Sequence, residues 1–251
     1  MSTLEQSEKK DINKKYCLPE NYQGHELRTT MATVSGKDYW TRKRIRYSRI
    51  YQYHVYRYAA KIIQEKKLKS LIDVGCGPAS KLVRINSEIP DLSITGIDQH
   101  DAINYCKKAH SFGEWYIDDF ENPDAKLPER KGDLVICADV IEHVLDPDKV
   151  LEYCKYRLND GGYILLSTPD RVRIHGENNT KPKNIDHVRE WSADEFSQYL
   201  KSRGFKVVEH LHQKGVRPGL NKLYARVLFN HFVRKNPVHL LYNQVTLIQP
   251  V

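Results

Sequence analysis

Short, nearly unbroken apolar runs recur along the chain, and each gives way to a stretch whose apolar residues fall at three- and four-residue steps. The first run, 68–74, ends in Gly75-Cys76-Gly77 and opens into an amphipathic segment over 81–88 that Pro90-Asp91 stops. Further runs predict strands at 92–97, 114–117, 132–137, 163–169, 205–209 and 244–248. Helices are expected between them. One covers 101–110, and a second starts at Asp146-Pro147 by cap and first-turn chemistry and closes at Gly161-Gly162. A third, 194–203, is launched by the capping box Ser192-Ala193-Asp194-Glu195 and stopped by Gly204, and a fourth is expected over 220–232. Strands covered on both faces read as continuous apolar runs, so this alternation predicts an α/β fold: a mostly parallel sheet with helices on both sides. The polar stretch from Asp170 to about Glu190 is too long for a plain connector and is expected to be a functional loop.

The N-terminal quarter breaks the pattern. Residues 1–24 are rich in Lys, Glu, Asn and Gln and are expected to form a mobile arm, because such residues bury too little surface to offset ordering. Over 25–67 a helical lid is expected. Tyr47, Tyr51, His54 and Tyr58 would share one face of a helix, with Arg42, Arg46, Arg49 and Arg57 elsewhere around it. Such a helix packs its tyrosines on the domain and can still meet a substrate. Tyr39, Arg44, Tyr47 and Tyr51 are the candidate substrate residues, since tyrosine and arginine suit stacking and bidentate recognition of a sugar-like or anionic group.

Composition narrows the class. At 251 residues the chain suits one α/β domain with appendages over 68–251, and the segment around 215–243 reads as an insertion. The formal charge of +8 favours an anionic partner without choosing among nucleic acid, sugar nucleotide and glycan. Five scattered cysteines with no C-x-x-C pair point to reduced thiols, and hence to a cytoplasmic setting, rather than to disulfides or zinc. The first twenty residues lack the apolar core of a signal peptide, and no later stretch has the length of a membrane span.

The glycine pair marks the candidate site. A third glycine would fall at Ala79 or Ser80 and is missing, so the fingerprint for a dinucleotide pyrophosphate is incomplete. Asp73 ahead of the glycines suits a cationic ligand better than a phosphate. Asp98 stands about 20 residues past the turn at a strand end, where an acid can take both ribose hydroxyls.

Taken in order, Asp73-Val74-Gly75-Cys76-Gly77, Asp98, Asp119-Phe120, Asp139-Val140-Ile141-Glu142-His143-Val144, Gly161-Gly162, Ser167-Thr168-Pro169 and His187-Val188-Arg189-Glu190-Trp191-Ser192 resemble the class I S-adenosylmethionine (SAM)-dependent methyltransferases. Within them the likeness is to the group of ubiquinone-biosynthesis O-methyltransferases and bacterial glycan methyltransferases. The resemblance covers about 71–214. It implies a Rossmann-like seven-stranded sheet whose last strand is antiparallel, with SAM over the strand ends. The cofactor-binding residues it implies are Asp73, Gly75, Cys76, Gly77, Asp98, Gln99, Asp119, Phe120 and Ala138, with Asp118 a competing neighbour of Asp119.

An acceptor hydroxyl needs a base, and His143 or His187 can supply one, with Asp139 beside them. The same residues, Asp139, Glu142, His143 and His187, also resemble the ligand set of small-RNA 2′-O-methyltransferases, which hold a magnesium-like ion. Three functions stay open: methylation of a hydroxyl or amine on a small-molecule, sugar or glycan acceptor; metal-assisted methylation of RNA ribose; and SAM binding without turnover.

Overall fold

The computed structural model describes residues 3–25, 40–124, 127–217 and 241–251, together with 219, 222, 225 and 229. Seven strands form one sheet: β1 (Ser70–Val74), β2 (Ser93–Asp98), β3 (Glu114–Ile117), β4 (Gly132–Ala138), β5 (Leu158–Pro169), β6 (Phe205–Gln213) and β7 (Asn243–Pro250). Their order is β3-β2-β1-β4-β5-β7-β6. The strands from β3 across to β5 run parallel, and β7 is antiparallel to both β5 and β6, as the resemblance implies. Strand order reverses between β1 and β4, so a crevice opens outside the carboxyl ends of those two strands.

The period-two alternation of strand side chains divides the core into two layers. Ile72, Val74, Val135 and Cys137 point to one face, where α6 (Pro147–Tyr156) and α8 (Ala193–Ser202) cover them. Leu71, Leu134 and Ile136 point to the other, under α3 (Tyr53–Lys66), α4 (Leu82–Glu88) and α5 (His100–Ala109). The predicted capping box is present at Ser192 and Glu195, and Asp146 caps α6 ahead of Pro147. Among the described residues no helix is long and apolar enough to cross a membrane.

Four expectations are corrected. The first 24 residues are not a free arm: α1 (Thr3–Lys15) leads into Tyr16, Leu18 and Tyr22, all buried in the first core layer, and the Trp191 indole donates to the Tyr16 carbonyl at 2.9 Å. Three apolar anchors among many charges are enough to dock it. The lid is not one helix either. α2 (Arg42–Ser48) and α3 are separated by Gln52 in the left-handed region at φ 52°, so the tyrosines do not form one stripe. α3 is a layer helix, with Val55, Tyr56, Ala59, Ala60, Ile62 and Ile63 buried. Third, Gly161-Gly162 does not close α6, which ends at Tyr156. Both glycines lie in β5, where its register against β4 slips between Gly132 and Leu134. Fourth, the 170–190 loop contains a short helix, α7 (Arg171–His175), that Asp170 caps. Most of the helix expected over 220–232, of which only 222, 225 and 229 are described, and most of the 215–243 segment lie outside the described residues.

Candidate functional site

The crevice at the switch point is a cleft of about 510 Å³. Its floor is the turn after β1. Gly75 and Gly77 sit at φ +82° and +56°, a region open to glycine and strained for other residues. A Cβ on Gly75 would lie 2.4 Å from Val140 Cγ2, and one on Gly77 would lie 2.7 Å from the Trp40 ring. The turn therefore lets a ligand reach main chain. Cys76 contributes backbone here, while its thiol is buried 3.5 Å from the Gly77 carbonyl and shifted well above its usual range by burial.

Two buried acids flank the turn. At the end of β2, Asp98 accepts the Gly77 and Gln99 amides, each at 2.7 Å, yet burial raises its carboxyl to about 6. On β1, Asp73 accepts the Tyr56 hydroxyl at 2.8 Å through Oδ2, while its buried Oδ1 has no hydrogen-bond partner. Burial lifts Asp73 to about 7, against the opposing pull of the Lys81 charge. A buried carboxylate oxygen without a donor, beside a main-chain cradle, fits a ligand that brings its own positive charge.

On the opposite wall the two neighbouring acids part company. Asp118 turns inward: Oδ2 accepts the Tyr153 hydroxyl at 2.6 Å, and Oδ1 accepts the Asp119 and Asp124 amides at 2.9 Å. Asp119 and Phe120 stay half-buried on the cleft wall, so Asp119 keeps the more open carboxylate of the pair. Ala138, at the end of β4, and Gln99 complete the lining.

Beyond β4 lies the candidate reacting end. Asp139 sits at φ 53°, strained for a non-glycine residue, and three side chains hold its carboxylate. Ser167 Oγ and Asn243 Nδ2 donate to Oδ1 at 2.5 and 3.3 Å, and Gln52 Nε2 donates to Oδ2 at 3.0 Å. His143 lines the same cleft. Its Nδ1 lies 2.7 Å from the Asp186 carbonyl, which can only accept, so the proton sits on Nδ1 and Nε2 keeps its lone pair. Burial, and then the neighbouring His187, lower this imidazole to about 4, so it is neutral at physiological pH.

His187 is held differently. Asn184 Oδ1 accepts the Asp186 amide, which turns Nδ2 toward His187 Nε2 at 2.8 Å. His187 Nδ1 in turn donates to Glu190 Oε1 at 2.5 Å. Both ring nitrogens are engaged, so in this arrangement His187 positions rather than accepts a proton. Its ring packs edge-on against His143 with centroids 4.7 Å apart. Burial opposes ionisation of Glu190, but hydrogen bonds from His175 and His187 outweigh it and hold the carboxyl down to about 2.

Of the four residues in the expected metal set, Glu142, His143 and His187 bring one ligand atom each within 4.8 Å of one another. Asp139 is not in that group; its oxygens are taken by Ser167, Asn243 and Gln52. Glu142 is fully buried and neither carboxylate oxygen has a hydrogen-bond partner, although the nearby Thr168 hydroxyl favours its charged form. Burial, then the Asp139 charge, push it well above the usual carboxylate range. An orphaned buried carboxylate next to two imidazoles fits a divalent cation, provided Asn184 releases His187 Nε2.

Among the candidate substrate residues, Tyr39 lies outside the described residues, Arg44 is exposed on α2, and Tyr47 and Tyr51 are respectively half-buried and exposed beyond the cleft lining. Sequence reasoning missed several cleft residues, Trp40, Gln52 and Lys81 among them. Lys81, four residues past Gly77, could have been found as the cation opening the helix after the glycine turn. Its ammonium donates to Gln52 Oε1 at 2.8 Å, which makes Gln52 a bridge from Lys81 to Asp139.

A main-chain cradle at a topological switch point, a ribose-type acid on the next strand and an unpaired acid for a cation define a Rossmann-like protein built for a charged nucleoside ligand. Residues 44–210 match the methyltransferase domain family, and the chain belongs to it, among the class I SAM-dependent methyltransferases. A probable SAM-dependent methyltransferase of Mycolicibacterium smegmatis is 27% identical over 187 residues, 72% of this chain and 65% of that protein. The ubiquinone biosynthesis O-methyltransferase of Marinobacter nauticus is 30% identical over 160 residues, 56% of this chain and 65% of its own length. This chain thus spans just under two thirds of either relative. In fold it is similar to the plantazolicin methyltransferase BpumL, solved with a pentazolic desmethylPZN analog and SAH, at a TM-score of 0.59 and 16% identity, covering 98% of this chain and all of that one. A Haloferax volcanii methyltransferase solved with its Trm112 activator gives 0.56 at 14% identity over 72% of this chain and 82% of the other.

Proposed function

We propose that the chain binds SAM in the cleft and methylates a hydroxyl or amine on an anionic, sugar-like small molecule or glycan. Bound SAM supplies a methyl group already activated on a sulfonium. The residues then have to hold the acceptor in line and exclude water. Asp73 balances the cationic end, Asp98 takes the ribose hydroxyls, Asp119 and Phe120 meet the adenine, and the Gly75 turn gives main-chain contact. His143 Nε2 receives the acceptor's proton as the new bond to carbon forms. Asp139, fixed by three donors, orients the acceptor. The observation that carries this reading is His143: it lines the cleft along with Asp139, and the Asp186 carbonyl holds the proton on Nδ1, which leaves Nε2 as the nitrogen able to accept one.

A second reading rests on Glu142. With its oxygens orphaned and His143 and His187 beside it, it would hold a divalent ion that orients and acidifies a ribose hydroxyl, as the likeness to RNA 2′-O-methyltransferases suggests. Purified protein incubated with methyl-labelled SAM and, separately, nucleotide sugars, glycan fragments and RNA distinguishes the two. Label is expected in a sugar-type acceptor and unaffected by chelator. Label in RNA alone, abolished by chelator, overturns the first reading for the second, and tight SAM binding with no transfer to any acceptor points to a non-catalytic protein.

A further inference from the structure

Beside the cofactor cleft lies a second, smaller cavity of about 160 Å³ between α3 and α4. Its lining is unusual in charge. Arg49, Arg57, Lys81, Arg84 and Arg217 face it, against Glu88 as the one carboxylate. That carboxylate is already taken: Arg84 Nε bonds Glu88 Oε1 at 2.6 Å. Arg49 and Arg57 have no carboxylate partner among the described residues. Arg49 and Arg57 therefore bring to one cavity two guanidinium groups that can share an anion.

Two of these arginines, Arg84 and Arg217, are also held in place. Tyr53, at the first turn of α3, has the Arg84 guanidinium 5.2 Å and the Arg217 guanidinium 4.8 Å from its ring centroid, and its hydroxyl accepts from Arg84. Arg217 arrives from the far end of the chain. Its amide donates to the Ile50 carbonyl at 2.7 Å, the Gln52 amide donates to the Gly215 carbonyl at 3.1 Å, and Tyr51 and Val216 form an antiparallel bridge between those bonds. This short clip sets one wall of the cavity. The opposite wall leads to the reacting end, because Lys81 lines both cavities and Gln52 links it to Asp139.

We infer that this cavity is a subsite for a tetrahedral oxyanion carried by the acceptor, a phosphoryl or sulfo group, held by Arg49, Arg57 and Arg217. The inference rests on the reading of the neighbouring cleft as the methyl-transfer site and names the acceptor's anchoring group. Guanidinium forks suit a tetrahedral oxyanion, and the small volume suits one such group rather than a polymer backbone. An acceptor so anchored extends past the Lys81 and Gln52 pair to present its nucleophile to Asp139 and His143.

The test is titration of the full chain with inorganic phosphate, and in a parallel arm sulfate, by calorimetry at low salt with SAH present. Wild type is expected to show saturable binding of one anion per chain, and R57Q/R217Q, which changes two exposed side chains, to weaken it about tenfold or more. Binding of SAH to the variant should be unchanged. Preference for phosphate or for sulfate identifies which group the acceptor carries. Absence of anion binding, or equal binding by wild type and variant, overturns the subsite even where SAH binds normally; failure of SAH to bind strikes the cofactor reading and leaves the anion result to be judged by itself. Binding of single-stranded RNA that Lys61→Gln and Lys214→Gln weaken while R57Q/R217Q does not also overturns it, in favour of an extended polyanion.

Discussion

Burial keeps the Asp73 carboxyl at about 7 and the Asp98 carboxyl at about 6, well above the ordinary value of 3.8. Both folded values exceed the unfolded ones, so the folded chain binds more protons across that window. Stability from these two groups is therefore present at low pH and is lost as pH rises through about 6 and 7. A cationic ligand beside Asp73 offsets the loss. Because neutral His143 works the other way below its unfolded value, the part due to Asp73 is read by difference: the Tm of wild type minus that of Asp73→Asn should fall between pH 5 and pH 8, with SAM restoring wild type most at pH 8. Asp73→Asn should raise the Tm of the free chain at pH 8 by about 2–4 °C and weaken SAM binding about tenfold or more. A variant less stable at pH 8, or one that binds SAM normally, would contradict the role given to Asp73. At the base, His143→Ala should lower kcat about 10²–10⁴-fold with SAM affinity nearly unchanged, whereas His187→Ala should act more weakly, through His143. Single-turnover rates in the two variants make the comparison. Most of the residues proposed for the cofactor could be placed on the cleft from the sequence because they stand at or just past strand ends, as Asp98 does. Gln52 could not. Its importance comes from Lys81 and Asp139, two partners it meets only in the fold.

The turn between β1 and α4 shows what a short connection can determine. Gly75→Ala would force a side chain onto a left-handed backbone and into Val140, so it is expected to abolish SAM binding and to destabilise the chain by about 1–3 kcal/mol. Calorimetry with SAM and urea unfolding of the same variant separate the two effects. A variant that bound SAM as wild type does would remove the main-chain contact from the account. The strands were legible because runs such as Leu134-Val135-Ile136-Cys137 must be apolar on both faces. The break between α2 and α3 was not, since the tyrosine periodicity runs across it and the left-handed turn at Gln52 is stabilised by the Gly215 carbonyl, which no local pattern reveals.

Across the molecule, the sheet order brings β1 and β4 together so that acids from the end of β2 and the segment after β4 line one crevice, with Asp73 of β1 buried behind its glycine turn. Local pattern gave the number and kind of strands, and likeness to a known family supplied the antiparallel β7. What it misjudged was the beginning of the chain. A segment that looks too polar to fold is pinned by Tyr16, Leu18 and Tyr22, and Arg189 lies 4.4 Å over the Tyr16 ring while the Glu190 amide donates to the Tyr22 hydroxyl at 2.6 Å. Removing residues 1–24 should cost about 4 kcal/mol or more, from three large side chains at roughly 1.5–3 kcal/mol each, and should loosen the loop that carries His187. A lowered urea midpoint with faster amide exchange over 184–191 is the expected result. An unchanged midpoint would return the segment to the status of a tail.

The antiparallel stitch between Tyr51 and Val216 joins two stretches that the sequence keeps far apart. For an acceptor anchored in the proposed oxyanion subsite, preference is then a property of neither stretch by itself. A chimera that imports only one of them from a relative should inherit nobody's preference, and a faithful transplant must carry both halves together.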